Sequence, residues 1–415
     1  MSSDLLHYWP LDADVTYLNH GSYGACPWPV LRSQDEWRTR LERHPTLFMG
    51  TQLDGHMAHV RTRLGEYLHA DPDDLALVPN ATTGVNTVLR SLELAAGDEI
   101  LTTDHEYNAV LNVIRRVADV AGATAVVAPV PFPADSPEQV LDAILGRATQ
   151  RTRLAVVSHV TSPTGIVFPI ARIVAALAER GIDTVVDGAH APGMVALDID
   201  GLGAAYYTGN CHKWLCAPKG SGFLWVRRDR QAGVHPLITS HGANAPRSGR
   251  SLFRLEFDWT GTFDPTPFLS IPAALDFMAN LVPGGWPEVM ARNHQLVLAG
   301  RGRLLDVLGT PRAAAPEEMV GSIAAVELPA DMAPPPGDRP SSADAETYPI
   351  DPLHEALLTD SSIEVPVYPW PHTPADGGPR RRVLRISAQL YNADDDYARL
   401  AAALGGRRAR NDGLS

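Results

Sequence analysis

Of the 35 lysine and arginine side chains in this 415-residue sequence, only Lys213 and Lys219 are lysines. Arginine's delocalised guanidinium stays protonated and cannot form a Schiff base, whereas a desolvated lysine amine can. Lys219 lies in the turn Pro218-Lys219-Gly220-Ser221-Gly222 and is expected to face solvent. Lys213 lies in Asn210-Cys211-His212-Lys213-Trp214, where desolvation between His212 and Trp214 would lower its pKa. Upstream, a short apolar run over 184–186 ends in Asp187, with His190 three residues on. Two further runs, over 204–207 and 222–226, flank the lysine. Their length and their bounding Gly, Asp and Pro residues predict buried strands. The stretch therefore presents a carboxylate at one strand end and a candidate nucleophilic amine after the next.

Those are two parts of a pyridoxal 5'-phosphate (PLP) site. The lysine holds the cofactor as an imine, and the carboxylate keeps the pyridine nitrogen protonated so that the ring accepts electrons. Through DGAHAPG (188–193 with its leading Asp187), the His212-Lys213-Trp214 segment and the motifs below, residues 15–405 resemble the class V aminotransferase group of fold type I PLP enzymes. Within it, they resemble the isopenicillin N epimerase-like branch. The resemblance implies an α/β fold with a mostly parallel sheet in a large PLP-binding domain (31–283). It further implies an N-terminal segment (1–30) and a smaller α/β C-terminal domain (284–415). The pattern agrees, because strands alternating with helices from about 75 to 226 predict a mostly parallel sheet covered on both faces.

A strand over 75–79 runs into Asn80-Ala81-Thr82-Thr83-Gly84 and a helix over 85–94. Small and hydroxyl residues opening a helix make an anion seat, or simply a Thr N-cap. The resemblance assigns the phosphate to Thr82 and Thr83, with Asn210 or His212 helping. A strand over 99–102 leads to His105 and Tyr107, either of which could stack on the pyridine face; the resemblance to the epimerase-like branch favours Tyr107. Ser162 stands where many class V members carry Asn near the phenolic oxygen. His190 would orient Asp187 or the ring. Asn19 and His20 match a segment bordering the substrate. Arg385, inside the apolar strand expected over 383–387, matches the arginine that binds the substrate α-carboxylate. Gly261-Thr262 matches the segment that completes the phosphate site of a neighbouring subunit, which implies a homodimer with shared sites. A helix is expected over 287–308, an irregular excursion over 329–348 and a frayed tail over 405–415.

The expected chemistry is bond breaking at Cα or Cβ of an amino acid, with Lys213 as the acid/base. A lyase acting on a cysteine S-conjugate is the favoured reading, with an epimerase or an aminotransferase as alternatives. A non-catalytic PLP-fold binding protein is the alternative of a different class. Cysteine desulfurase is disfavoured because 365–372, the stretch before the carboxylate arginine, holds no nucleophilic cysteine. In that stretch Tyr368, Trp370 and His372 are expected to form an aromatic wall. The formal charge of −13 argues against nucleic acid and anionic membranes as partners. Three cysteines make neither a disulfide framework nor a metal site. With no signal-peptide or membrane-span pattern, a cytoplasmic protein is expected.

Overall fold

The computed structural model describes residues 3–246, 249–310, 312–332, 350–371 and 381–412. Seven strands form the large sheet: β1 (Leu75–Val78), β2 (Glu99–Thr103), β3 (Thr124–Ala128), β4 (Thr152–Ser158), β5 (Asp183–Gly188), β6 (Tyr206–Asn210) and β7 (Gly222–Val226). Their spatial order is β1-β7-β6-β5-β4-β2-β3. All pairs from β6 to β3 are parallel, and β7 runs antiparallel to both its neighbours.

The strands read as continuous apolar runs because both faces are covered. Leu101, Val157, Val186, Tyr207 and Trp225 enter one apolar layer. Their chain neighbours Ile100, Val156, Val185, Tyr206 and Leu224 enter the other. Fully burying one such side chain contributes about 1.5–3 kcal/mol, so a one-residue slip of register would be costly. The helices covering these faces include α1 (Trp28–Arg43), α2 (Leu53–Leu68), α3 (Ala81–Ser91), α4 (Asn108–Ala121), α5 (Pro137–Leu145) and α6 (Ile170–Ala178). α3 starts earlier than the apolar pattern predicts because the Asn80 side chain accepts the Thr83 N–H and caps it. Gly84 lets α3 sit close on the sheet, since a Cβ there would lie 2.1 Å from Thr208 Oγ1.

The long helix α7 (Gly285–Leu308) leads to a second layer pair containing β8 (Ile323–Glu327), α8 (Pro352–Ser361), β9 (Val367–Trp370), β10 (Arg381–Ser387) and α9 (Asp394–Asp412). The strands pair antiparallel in the order β9-β10-β8. The N-terminal segment is stitched into this region: Thr16–Tyr17 pairs with Ile363–Glu364, and the Ser387 N–H donates to the Leu18 carbonyl. The tail from 405 is helical rather than frayed as far as Asp412, where the described residues end. Arg407 and Arg408 pin it, donating to Asp360 and to the Leu308 carbonyl. Most of the excursion over 329–348 lies outside the described residues, as does His372. Among the described residues, no helix is long and apolar enough to cross a membrane.

Candidate active site

The C-terminal ends of β1, β2, β4, β5 and β6 open on one edge of the sheet, the edge where α/β proteins place ligands. Asp187, near the end of β5, has Ser158 and Thr208 as its register neighbours on β4 and β6. Its Oδ1 accepts the Ala189 N–H at 2.9 Å. Lys213 follows β6, and its Nζ is 3.1 Å from His190 Nε2. Burial pushes the Lys213 amine down to about 7, with the Arg385 charge pushing the same way and Asp187 opposing. An amine poised there is available as a nucleophile near neutral pH. Lys219, by contrast, is exposed and donates to the Gly24 carbonyl at 3.0 Å.

Asp187, His190, Lys213 and Arg385 act on one another electrostatically, so the fold brings together residues far apart in sequence. Burial pushes the Asp187 carboxyl up, while the Ala189 hydrogen bond and the Lys213 charge pull it down. A protonated pyridine nitrogen would supply the cation this buried carboxylate needs. At the N-terminus of α3, Ala81 and Thr83 donate their N–H groups to Asn210 Oδ1 and Asn80 Oδ1. The Thr83 hydroxyl also donates to Asn80 Oδ1. Thr82 keeps its N–H and hydroxyl without a partner among the described residues, at the positive end of the helix. Asn210 thus orders the first turn of α3. His212 Nδ1 donates to the Ser221 carbonyl at 3.0 Å, bracing the lysine loop. Together, an amine, a buried carboxylate and a helix N-terminus fit PLP.

Arg385 is the fourth element. It is 1% exposed, yet no carboxylate lies within ion-pair distance of it among the described residues. Its Nη1 donates to the Ser162 carbonyl at 2.6 Å and its Nη2 to Ser22 Oγ at 3.0 Å, and its buried Nε has no partner. A buried charge is costly unless paired, so an anionic substrate group fits there. The Tyr368 ring lies 5.0 Å from the guanidinium.

Three of the remaining candidates, His105, Trp370 and His20, lie in surroundings other than those expected. His105 is fully buried: its ring nitrogens meet Thr164 Oγ1 at 2.7 Å and the Val130 carbonyl at 3.1 Å, and Trp370 packs beside it. No face of that ring is open to a cofactor, whereas Tyr107 is 44% exposed at the start of α4. Trp370 is likewise core rather than wall, packed on Phe132 and capped by Arg381. His20 does not border open space: its Nδ1 accepts from Tyr391 Oη at 2.9 Å and its Nε2 donates to the Lys213 carbonyl at 3.1 Å. Asn19 donates to Glu364 Oε1 and accepts from Ser22, so its reach toward a substrate is indirect. Ser162 meets Arg385 through its carbonyl. Thr262 is exposed.

Sequence reasoning missed Glu106 and Ser22. Glu106 Oε1 accepts the Tyr107 N–H and the Ser158 hydroxyl, while its buried Oε2 has no partner. Burial pushes its carboxyl up to about 8, with Asp187 adding to the effect. Its polar type in a polar loop gave no signal, because only the fold sets it beside Asp187.

Two outcomes are expected. A carboxyl at about 8 in the fold against 4.5 unfolded contributes stability that is full below pH 4.5 and lost as pH rises through 8. The melting temperature of Glu106→Gln relative to wild type should therefore climb between pH 5 and pH 9; a flat difference would show that Glu106 is not held neutral. Secondly, borohydride reduction of the PLP-loaded protein should leave a pyridoxyl group on the Lys213 peptide. A label on the Lys219 peptide would move the site.

Residues 38–329 match the class V aminotransferase family. The chain is 36% identical to isopenicillin N epimerase of Amycolatopsis lactamdurans, over 95% of each chain. It is 31% identical to the probable chloroplastic L-cysteine desulfhydrase of Arabidopsis thaliana, over 98% of this chain and 85% of that one. Its fold is similar to that of a C-DES mutant with glycine covalently linked to its PLP cofactor, with a TM-score of 0.74, 23% identity and coverage of 96% and 98%. With the doubly covered, mostly parallel sheet and a lysine, carboxylate and helix N-terminus gathered at its edge, the chain belongs to the class V aminotransferase family and is a PLP-dependent enzyme of fold type I.

Proposed function

We propose that the protein is a lyase that breaks the Cβ–S bond of a cysteine S-conjugate, a finer reading than the PLP lyase or epimerase its relatives support. The observation that carries it is Arg385, a buried cation with no anion of its own among the described residues, set beside Lys213 and faced by Tyr368. Its fork suits an α-carboxylate. Tyr368, whose ring lies 5.0 Å from the Arg385 guanidinium, would present an aromatic surface to a bulky sulfur substituent. Three cysteines exist, Cys26, Cys211 and Cys216; all are buried, with thiols pushed up by burial. None can serve as a sulfur-accepting nucleophile, so sulfur leaves with the product. Free cysteines also support a reducing compartment such as the cytoplasm.

Bound PLP supplies an electron sink for negative charge at Cα. Arg385 would fix the carboxylate, and Asp187 would hold the pyridine nitrogen's proton. Thr82 and Thr83, with the α3 N-terminus, would seat the phosphate, and the exposed Tyr107 ring would cover the pyridine face. Lys213 Nζ would take the Cα proton. The Cβ–S electron pair then leaves with sulfur, which gains a proton. Overall, S-conjugate and water give thiol, pyruvate and ammonium.

Incubation with S-substituted cysteines and free L-amino acids in deuterium oxide tests this. Thiol and pyruvate in equal amounts are expected. Deuterium at Cα with inversion and no thiol would overturn the lyase reading in favour of the epimerase one, which the 36% identical relative keeps in view. Arg385→Lys should raise KM about tenfold or more, since a hydrogen bond to a charged group contributes roughly 1.5–3 kcal/mol. An unchanged KM would remove Arg385 from the carboxylate seat.

The proposal includes a homodimer in which the exposed Thr262 completes the partner's phosphate site. Subunits carrying Lys213→Ala should restore activity to subunits carrying Thr262→Ala at limiting PLP. The hybrid's one lysine-bearing site would then borrow an intact Thr262. Hybrids no better than either parent, with subunit exchange demonstrated, would exclude sharing.

A further inference from the structure

Three side chains stand in line at the lysine. Trp214 Nε1 faces His190 Nδ1 at 3.5 Å, and His190 Nε2 faces Lys213 Nζ at 3.1 Å. Trp214 is fully buried, His190 is 1% exposed and Lys213 is half-buried, so the Trp214–His190 contact is closed to water. An indole N–H can only donate. Even at 3.5 Å, the polarity of this contact decides which ring nitrogen carries the proton. A proton on Nδ1 would set two N–H groups against each other in a dry site. His190 is held neutral by burial, with the Arg385 charge acting the same way, so it carries one proton. That proton belongs on Nε2.

The consequence falls on Lys213. An Nε2–H donates, and the lysine can accept it only through the lone pair of a neutral amine. The reverse arrangement, an ammonium donating to Nε2, would require the proton on Nδ1, against the indole. We propose that Trp214 is a positioning residue that sets the His190 tautomer and thereby holds Lys213 as the free amine. This deepens the reading of Lys213 as the cofactor-bearing base and rests on it. Two opposing charges also face Nζ: Arg385 on β10 favours the free amine and Asp187 on β5 opposes it. Burial is the larger influence and brings the group down to about 7, with these two charges acting on top of it.

The test uses the full-length protein stripped of cofactor and labelled with 15N-histidine. The His190 signals are assigned by their loss in His190→Gln. In wild type, Nδ1 should resonate as a bare acceptor and Nε2 as an N–H. In Trp214→Phe the tautomers should mix or reverse. The pH midpoint for acylation of Lys213, read by peptide mass spectrometry, should rise by about one unit, the scale of one lost hydrogen bond. A wild-type spectrum with the proton on Nδ1 overturns the proposal without any variant. So does a folded Trp214→Phe protein with both readouts unchanged. If that variant fails to fold, the wild-type tautomer alone decides. Failure of borohydride to label Lys213 would instead undo the cofactor assignment and leave the tautomer result standing.

Discussion

The site depends on keeping water from one amine. Lysine is ordinarily protonated, and desolvation is what brings Lys213 down to about 7. Desolvation requires a wall, and the wall is built from the residues around the lysine in sequence. Trp214, Leu215, Cys216 and Ala217 are all fully buried. Cys216 adopts a left-handed conformation, φ 59°, which is uncommon outside glycine. That turn lets its N–H reach back to the Lys213 carbonyl, which also accepts from His20. The amine is thus free to be reactive because its backbone is held twice.

The sequence made this site partly legible, for reasons that differ by residue. Asp187 and Lys213 stood out because each follows a short apolar run, and strand ends on one edge of a parallel sheet must converge. The choice between His105 and Tyr107 stayed open because a polar loop has no periodicity to say which side chain turns inward. The structure buries His105 among Phe132, Phe168 and Trp370. Glu106 gave no signal at all, since a carboxyl beside another carboxyl is legible only once β2 and β5 are placed in one sheet. A chain end is expected to fray, but packing of Leu400 and Leu404 against α7 residues carries the helix past Gly405 and Gly406 to Asp412.

Three arginines on β10 show how position decides what a charge does. Leu384 and Ile386 enter the small-domain core, so Arg381, Val383 and Arg385 lie on the opposite face. Arg381, at the strand's edge, lies 5.1 Å over Phe132 and 4.9 Å over Trp370 and is half exposed. Arg382 takes Asp351 as a counter-ion. Of the three, Arg385 alone is carried to the interior without an anion among the described residues. A chain that buries two Ser contacts, a tyrosine ring and a cation together, and leaves the cation unneutralised, is less stable alone than with an anionic ligand bound. That cost is the structural mark of a binding residue, and it separates Arg385 from its neighbours where residue type cannot.

The carboxylate seat and the lysine belong to different parts of the fold, and one short segment joins them. Leu18 pairs with β10 through the Ser387 N–H. Two residues on, His20 holds the Lys213 carbonyl; two further, Ser22 accepts from Arg385. Gly24 then crosses the lysine loop so closely that a Cβ there would lie 2.1 Å from the His212 carbonyl oxygen, and its φ of 69° itself favours glycine. Its own carbonyl takes the Lys219 ammonium. Residues 18–24, which turn through a short helix over His20–Tyr23, thus touch the small-domain strand, the lysine loop and the arginine in turn. Any displacement of Arg385 relative to Lys213 has to strain at least one of these contacts, so the distance between the group that anchors a substrate and the group that attacks it is fixed by four backbone positions. The short pairing of Thr16–Tyr17 with Ile363–Glu364 sets where this helical turn begins, so it carries His20 and Ser22 to their partners and matters beyond its two residues.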